Sequence, residues 1–171
     1  MYKNLLRRKI KHLLKYSERK KVYHNLEEIK SVLVLFDTEN YDDAINFIQQ
    51  MRKLDKTVRA FAYKPKNDVN DFPNTSFKVV TNKDMRSFKH ESLNRIVQNI
   101  SGEKFDLTVD LTLHENLLLL YILVSINSPL KIGLYKHAFS VHDIVISYAP
   151  ELELTVKELG EQVIHYLTVL K

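Results

Sequence analysis

The feature that most constrains this chain is an alternation. Short apolar runs, several of them β-branched, take turns with longer segments whose apolar residues recur at helical spacing. Ser31–Phe36 (SVLVLF), Thr57–Tyr63 (TVRAFAY), Phe77–Val80 (FKVV), Phe105–Leu111 (FDLTVDL), Leu130–Tyr135 (LKIGLY) and Asp143–Tyr148 (DIVISY) read as strands. Between them, Tyr41–Leu54 repeats Ala44, Ile45, Ile48, Met51 and Leu54 on one helical face, with Asn40 or Asp37 placed to cap it. Glu91–Ile100 reads as a helix stopped by Ser101-Gly102, and Glu115–Ile126 as a helix apolar on nearly every side, hence deeply buried. Thr155–Leu170 reads as a closing helix, in which Thr155 and Glu158 have the spacing of a capping box. Lys64–Asn74 carries turn residues and prolines and reads as a loop.

Strands alternating with helices of this length imply right-handed crossovers and a mostly parallel sheet. The expected fold is therefore a three-layer, Rossmann-like α/β domain over 31–171, preceded by a basic amphipathic helical extension over 1–30. Ser31–Phe36 and Phe105–Leu111, apolar on both faces, are expected to be adjacent central strands.

That extension is the second constraint. On a helical wheel, Leu5, Leu6, Ile10, Leu13 and Leu14 take one half, and Arg7, Arg8, Lys11 and Lys15 the other. Residues 1–21 hold nine cations against Glu18 alone, a net +8, whereas the other 150 residues hold 17 cations and 20 acids, a net −3. Such asymmetry points to an anionic partner, a membrane surface or nucleic acid, met by Arg7, Arg8, Lys11 and Lys15. The competing readings are that the apolar half packs on the domain, or pairs two copies into a homodimer.

Composition narrows the chemistry. The chain has no cysteine, so disulfides, thiolate metal sites and cysteine nucleophiles are excluded. Its three glycines, Gly102, Gly133 and Gly160, cannot supply a glycine-rich phosphate loop. The turn after the first strand reads Phe36-Asp37-Thr38-Glu39-Asn40, where two carboxylates would repel a pyrophosphate. Nicotinamide, flavin and P-loop nucleotide sites are thus disfavoured, and no cofactor is expected. The longest apolar stretch, Leu117–Val124, is about half of a membrane span. With no signal peptide either, the expected location is the cytoplasm, with peripheral membrane contact through the basic helix left open.

In an open parallel sheet, ligands sit beyond the carboxyl ends of the strands. Those ends offer Asp37, Thr38 and Asn40, then Lys64, then Asp110, Thr112 and His114, as a pocket of carboxylates and a cation. The neighbouring Glu39, Lys66, Asn82, Lys83, Asp84 and Glu115 belong to the same rim. The bland alternative is that these are helix caps and solvated loops. If Asp37 and Asp110 approach each other, like-charge repulsion should raise one of their pKa values. The seven histidines (His12, His24, His90, His114, His137, His142, His165) show no HExxH pair. No metal site is expected, although His114, His137, His142 and Asp110 are the residues that would have to converge to make one. No catalytic residue is assigned.

The segment 105–135 resembles part of the N-terminal Rossmann-like half of heptosyltransferase-type glycosyltransferases. Phe105-Asp106-Leu107 and Val109-Asp110-Leu111 correspond to a "YDLVIDL" strand, and Lys131-Ile132-Gly133 to a following "RIG" strand. The resemblance implies a fold more than an activity, because the second, nucleotide-binding half of those enzymes has no counterpart here. As a whole, the chain resembles a family of small bacterial proteins defined as a domain of unknown function. Two functions are therefore expected in competition. The first is a non-catalytic cytoplasmic α/β binding or interaction module. The second is a small-ligand binder or enzyme of glycosyltransferase-like ancestry that uses the strand-end pocket.

Overall fold

The computed structural model describes residues 2–72, 76–86, 92–136, 139–149 and 151–171. In chain order the elements are α1 (Tyr2–Lys15), β1 (Ser31–Asp37), a 3-10 turn (Thr38–Asn40), α2 (Tyr41–Lys53), β2 (Thr57–Lys64), β3 (Lys78–Thr81), α3 (Asn82–Arg86), α4 (Ser92–Ser101), β4 (Leu107–Asp110), α5 (Leu117–Ser125), β5 (Leu130–Leu134), β6 (Ile144–Ile146) and α6 (Val156–Val169). One six-stranded sheet runs in the order β3-β2-β1-β4-β5-β6, and all five pairings are parallel. β1 and β4 are neighbours at its centre, with Val34 opposite Val109, as the sequence leads one to expect.

Strand alternation sorts residues onto two faces. Val32, Val34 and Phe36 of β1 share one face with Val109 of β4 and Ile132 of β5, and pack with Ala44, Ile48, Leu159 and Val163 of α2 and α6. Leu33 and Leu35 of β1 lie on the other face, with Phe61 of β2 and Val80 of β3, against α4 and α5. α1 covers the outside of α5: Leu6 and Ile10 pack with Leu118, Tyr121 and Leu93. α5 is thus held between the sheet and α1, which explains why its sequence is apolar on every side.

The apolar half of α1 packs on the domain, apart from Leu5, which is exposed. The following segment is fastened too. Val22 and Leu26 donate backbone hydrogen bonds to Pro129 and Leu167, and Ile29 is fully buried. The Arg19 guanidinium grips Asp143 with two 2.7 Å bonds and also donates to the Ser128 and Pro129 carbonyls. Beside it the buried Lys131 donates to the Leu123 carbonyl at 2.5 Å. Burial, then the Arg19 charge, bring the Lys131 pKa down to about 7, against the pull of Asp143.

Two expected caps differ. Neither Asp37 nor Asn40 caps a helix with its side chain, because the 3-10 turn intervenes and Asp37 is turned toward Asn116. Gly102 does not adopt the left-handed conformation of a helix-ending glycine. The expected Thr155–Glu158 capping box is formed. The expected start at Glu91 lies outside the described residues. β2–β3 and β5–β6 are parallel pairs, and among the described residues no helix lies between the strands of either pair.

Candidate functional site

The chain runs from β1 toward β2 and β3 on one side, and from β4 toward β5 and β6 on the other. The carboxyl ends of β1 and β4 therefore flank the point where strand order reverses, which opens a crevice in sheets of this kind. Asp37 ends β1 and Asp110 ends β4, both on the α5 side by alternation.

Asp110 is the centre of a sealed network. Its Oδ1 accepts from the Thr112 backbone N–H at 3.0 Å and the Thr112 hydroxyl at 2.6 Å. Its Oδ2 accepts from Lys136 Nζ at 2.5 Å and meets His142 Nε2 at 3.1 Å. An ionised carboxylate can only accept, so Nε2 carries the hydrogen. Burial opposes the charge on Asp110, but Lys136 and His142 outweigh it and hold the carboxyl well below the usual range. Lys136 Nζ also donates to Thr112 Oγ1. The His142 ring lies directly on Gly133: a methyl there would stand 2.4 Å from Nε2. Gly133 is the register partner of Asp110, so the missing side chain is what lets the imidazole reach across β5 to β4. Among Glu115, Asn116, Leu120, Phe139 and Val141, the network leaves about 20 Å³ of free space, about enough for one water.

Asp37 sits at the edge of this network. Burial first, and then the negative charge of Asp110, push its pKa up to about 6, against Lys136 and a hydrogen bond from Asn116. Asn116 Nδ2 donates to Asp37 Oδ1 at 3.3 Å, while its own Oδ1 caps α5 by accepting from Leu118 and Leu119. Outside Asn116 an open groove of about 500 Å³ is lined by Lys3, Arg7, Tyr63, Asn82, Glu115 and the first turn of α5. Arg7 donates to Glu115 there at 3.1 Å. A second groove of about 490 Å³ shares Asn82 and is lined by Lys64, Lys66, Thr81 and Lys83.

The structure thus brings Asp37, Asp110 and Thr112 together. It gives others different work. Thr38 is buried and donates to Asp68 Oδ2, fixing the segment after β2. Lys64 donates to the Asn70 carbonyl and faces the Phe72 ring at 5.6 Å, although it still borders the second groove. Asn40 lines an acidic hollow with Glu39, Asp42, Asp43 and Asp71. His114 is exposed. Of the three histidines that a metal site would need, His142 meets Asp110, His114 does not figure among its partners, and His137 lies outside the described residues. Among the described residues no group of three metal-type ligands gathers. Arg8, Lys11 and Lys15 are exposed on α1, with Lys15 Nζ 5.2 Å over the Tyr16 ring, and Arg7 alone of the four turns to the groove. The residues missed were Lys136, Asn116 and the role of His142. The one available signal was Gly133, a glycine inside a strand.

Residues 3–170 match a family described as being of unknown function, DUF6913, and the chain belongs to that family. Neither the curated proteins nor the solved structures contain a match to it. Among the described residues, no helix is long and apolar enough to cross a membrane.

Proposed function

We propose that this member of the family is a non-catalytic cytoplasmic binding module, whose ligand lies in the crevice between the carboxyl ends of β1 and β4. The observation that carries the reading is the contrast between Asp110 and Asp37. Both oxygens of Asp110 are saturated by Thr112, Lys136 and His142 in a space too small for a substrate. A group locked in this way positions its neighbours rather than exchanging protons with a reactant. Asp37, in contrast, has among the described residues one long side-chain bond, from Asn116, and Asn116 itself lines an open groove. A ligand hydroxyl or amine would relieve its burial. The expected resemblance of 105–135 to glycosyltransferase halves would fall on β4, α5 and β5; no match to a curated protein or solved structure supports it, and the reading does not rest on it.

The test is thermal unfolding of the intact protein against nucleosides, sugars, amino acids and their phosphorylated counterparts. A compound present at about 100 times its dissociation constant should stabilise by about 2.7 kcal/mol. The gain should be lost in Asn116→Ala and Asp37→Ala, and the compound should be recovered chemically unchanged. Turnover of the compound, or equal stabilisation of the variants, would overturn the reading.

A further inference from the structure

The ligand's chemistry is written in the rim of the crevice. The two grooves that meet at Asn82 are lined by Lys3, Arg7, Lys64, Lys66 and Lys83 against Asp68 and Glu115. Their rim is net positive, although residues 22–171 as a whole are net negative. These cations come from four separate elements or links: α1, the end of β2, the segment after it and α3. Sequence clustering alone does not produce that convergence. On the far side of the 3-10 turn the sign reverses, with Glu39, Asp42, Asp43 and Asp71 around one hollow. An anion is therefore directed to the β2–β3 side of Asn116 and repelled from the α2 side.

Resting on the binding-module reading above, we propose that the crevice takes a phosphate-bearing small molecule. Lys3 and Arg7 of α1, with Lys66 and Lys83, hold its phosphate, and its uncharged part reaches Asp37. The glycine-free turn after β1 cannot cradle a phosphate with backbone N–H groups, so side-chain cations take that task. Glu115 is the internal stand-in: its carboxylate occupies Arg7 at 3.1 Å until the ligand anion replaces it. α1 is then a wall of the site and not a free tether, since Leu6 and Ile10 are already buried against α5 and cannot enter a bilayer.

Phosphate of this kind has three sources: an inorganic diphosphate, a phosphorylated metabolite or a lipid headgroup. The experiment therefore titrates the isotope-labelled full chain, at neutral pH and low salt, with pyrophosphate, AMP, adenosine and phosphatidylserine vesicles, reading backbone amide shifts. AMP or pyrophosphate should move the amides of residues 63–64, 82–83 and 115–118. Lys3→Gln/Arg7→Gln, and separately Lys66→Gln/Lys83→Gln, should weaken binding by about tenfold, as expected for loss of charge-assisted contacts. Arg8→Gln/Lys11→Gln/Lys15→Gln removes more charge, but from the outward face, and should leave binding nearly unchanged. Equal weakening by inward and outward variants would reduce the effect to general charge attraction and overturn the proposal. Vesicle binding abolished by the outward variant, with no response to AMP or pyrophosphate, would assign the cations to a lipid surface and overturn it as well. Adenosine bound as tightly as AMP at the same amides would overturn the phosphate assignment while leaving the binding module standing. No shift at these amides with any of the four probes would count against both.

Discussion

The two faces of the sheet solve the same burial problem differently. Under α2 and α6 the contacts are made by aliphatic and aromatic side chains such as Val34, Phe36, Val109 and Ile132. Under α5, the same strands β4 and β5 place Thr108, Asp110, Lys131 and Gly133, of which the three polar residues are all buried. One face is held by close packing, which tolerates small changes of shape. The other is packed just as closely under β1, β2 and β3, by Leu33, Leu35, Phe61 and Val80, but at the end of β4 it is held by the charges and hydrogen bonds around Asp110, and that part faces the crevice. Apolar packing supports the strand ends, and the polar face fixes what stands on them.

That contrast can be broken most directly at Asp110. Asp110→Ala leaves Lys136 and His142 facing a buried hole and should cost about 3–5 kcal/mol. Ile132→Val on the packed face should cost only about 0.5–1.5 kcal/mol. Urea midpoints of the two variants decide it: similar losses would mean that the network contributes no more than ordinary packing. Replacing Asp110, Lys136 and His142 together with apolar residues of similar volume should restore most of the loss.

The next effect is steric. Gly133→Ala forces the His142 ring off β5 and should cost about 1–3 kcal/mol. In a His142→Ala background the same change should cost much less, because the clash is gone. Additive losses in that cycle would show that Gly133 is needed for something other than the imidazole.

The smallest effect depends on pH and concerns Asp37. Its folded pKa of about 6 lies above the ordinary 3.8, so its favourable contribution is present below about pH 4 and is lost as pH rises through 6. Asp37→Asn should therefore stabilise the protein by about 1–2 kcal/mol at pH 7.5, a figure lowered for the solvent that Asp37 still meets, and the difference should vanish by pH 4. Urea unfolding of both proteins across this range checks the sign. A variant less stable than the parent at pH 7.5 would show that the Asp37 charge is paired, and that it does not await a ligand.

The strands were legible because each is a largely apolar run too short for a helix, and the central place of β1 because it is apolar on both faces; β4, expected to be so too, is apolar only on its Leu107 and Val109 face, with the buried Thr108 and Asp110 on the other. Asp37, Asp110 and Thr112 were legible because a parallel sheet always presents its strand ends together. Lys136 and His142 were not. They sit between β5 and β6 in a stretch with neither helical nor strand periodicity, so nothing in its spacing reveals that His142 lies over Gly133 of β5. Asn116 was hidden for another reason. It both caps α5 and contacts Asp37, and residue type alone reveals only the cap.

The seat of α1 on α5 has a consequence in time. The two helices meet in space, yet Lys15 and Ser125 are separated by most of the chain. At about 5–20 residues per second, a ribosome releases α1 roughly 5–20 s before α5 is complete. Throughout that interval Leu6 and Ile10 lack Leu118 and Tyr121, the α5 part of the surface they finally bury against, while like charge beside them opposes association with neighbouring copies. The charge that lines the finished crevice also keeps the nascent helix soluble until its partner arrives.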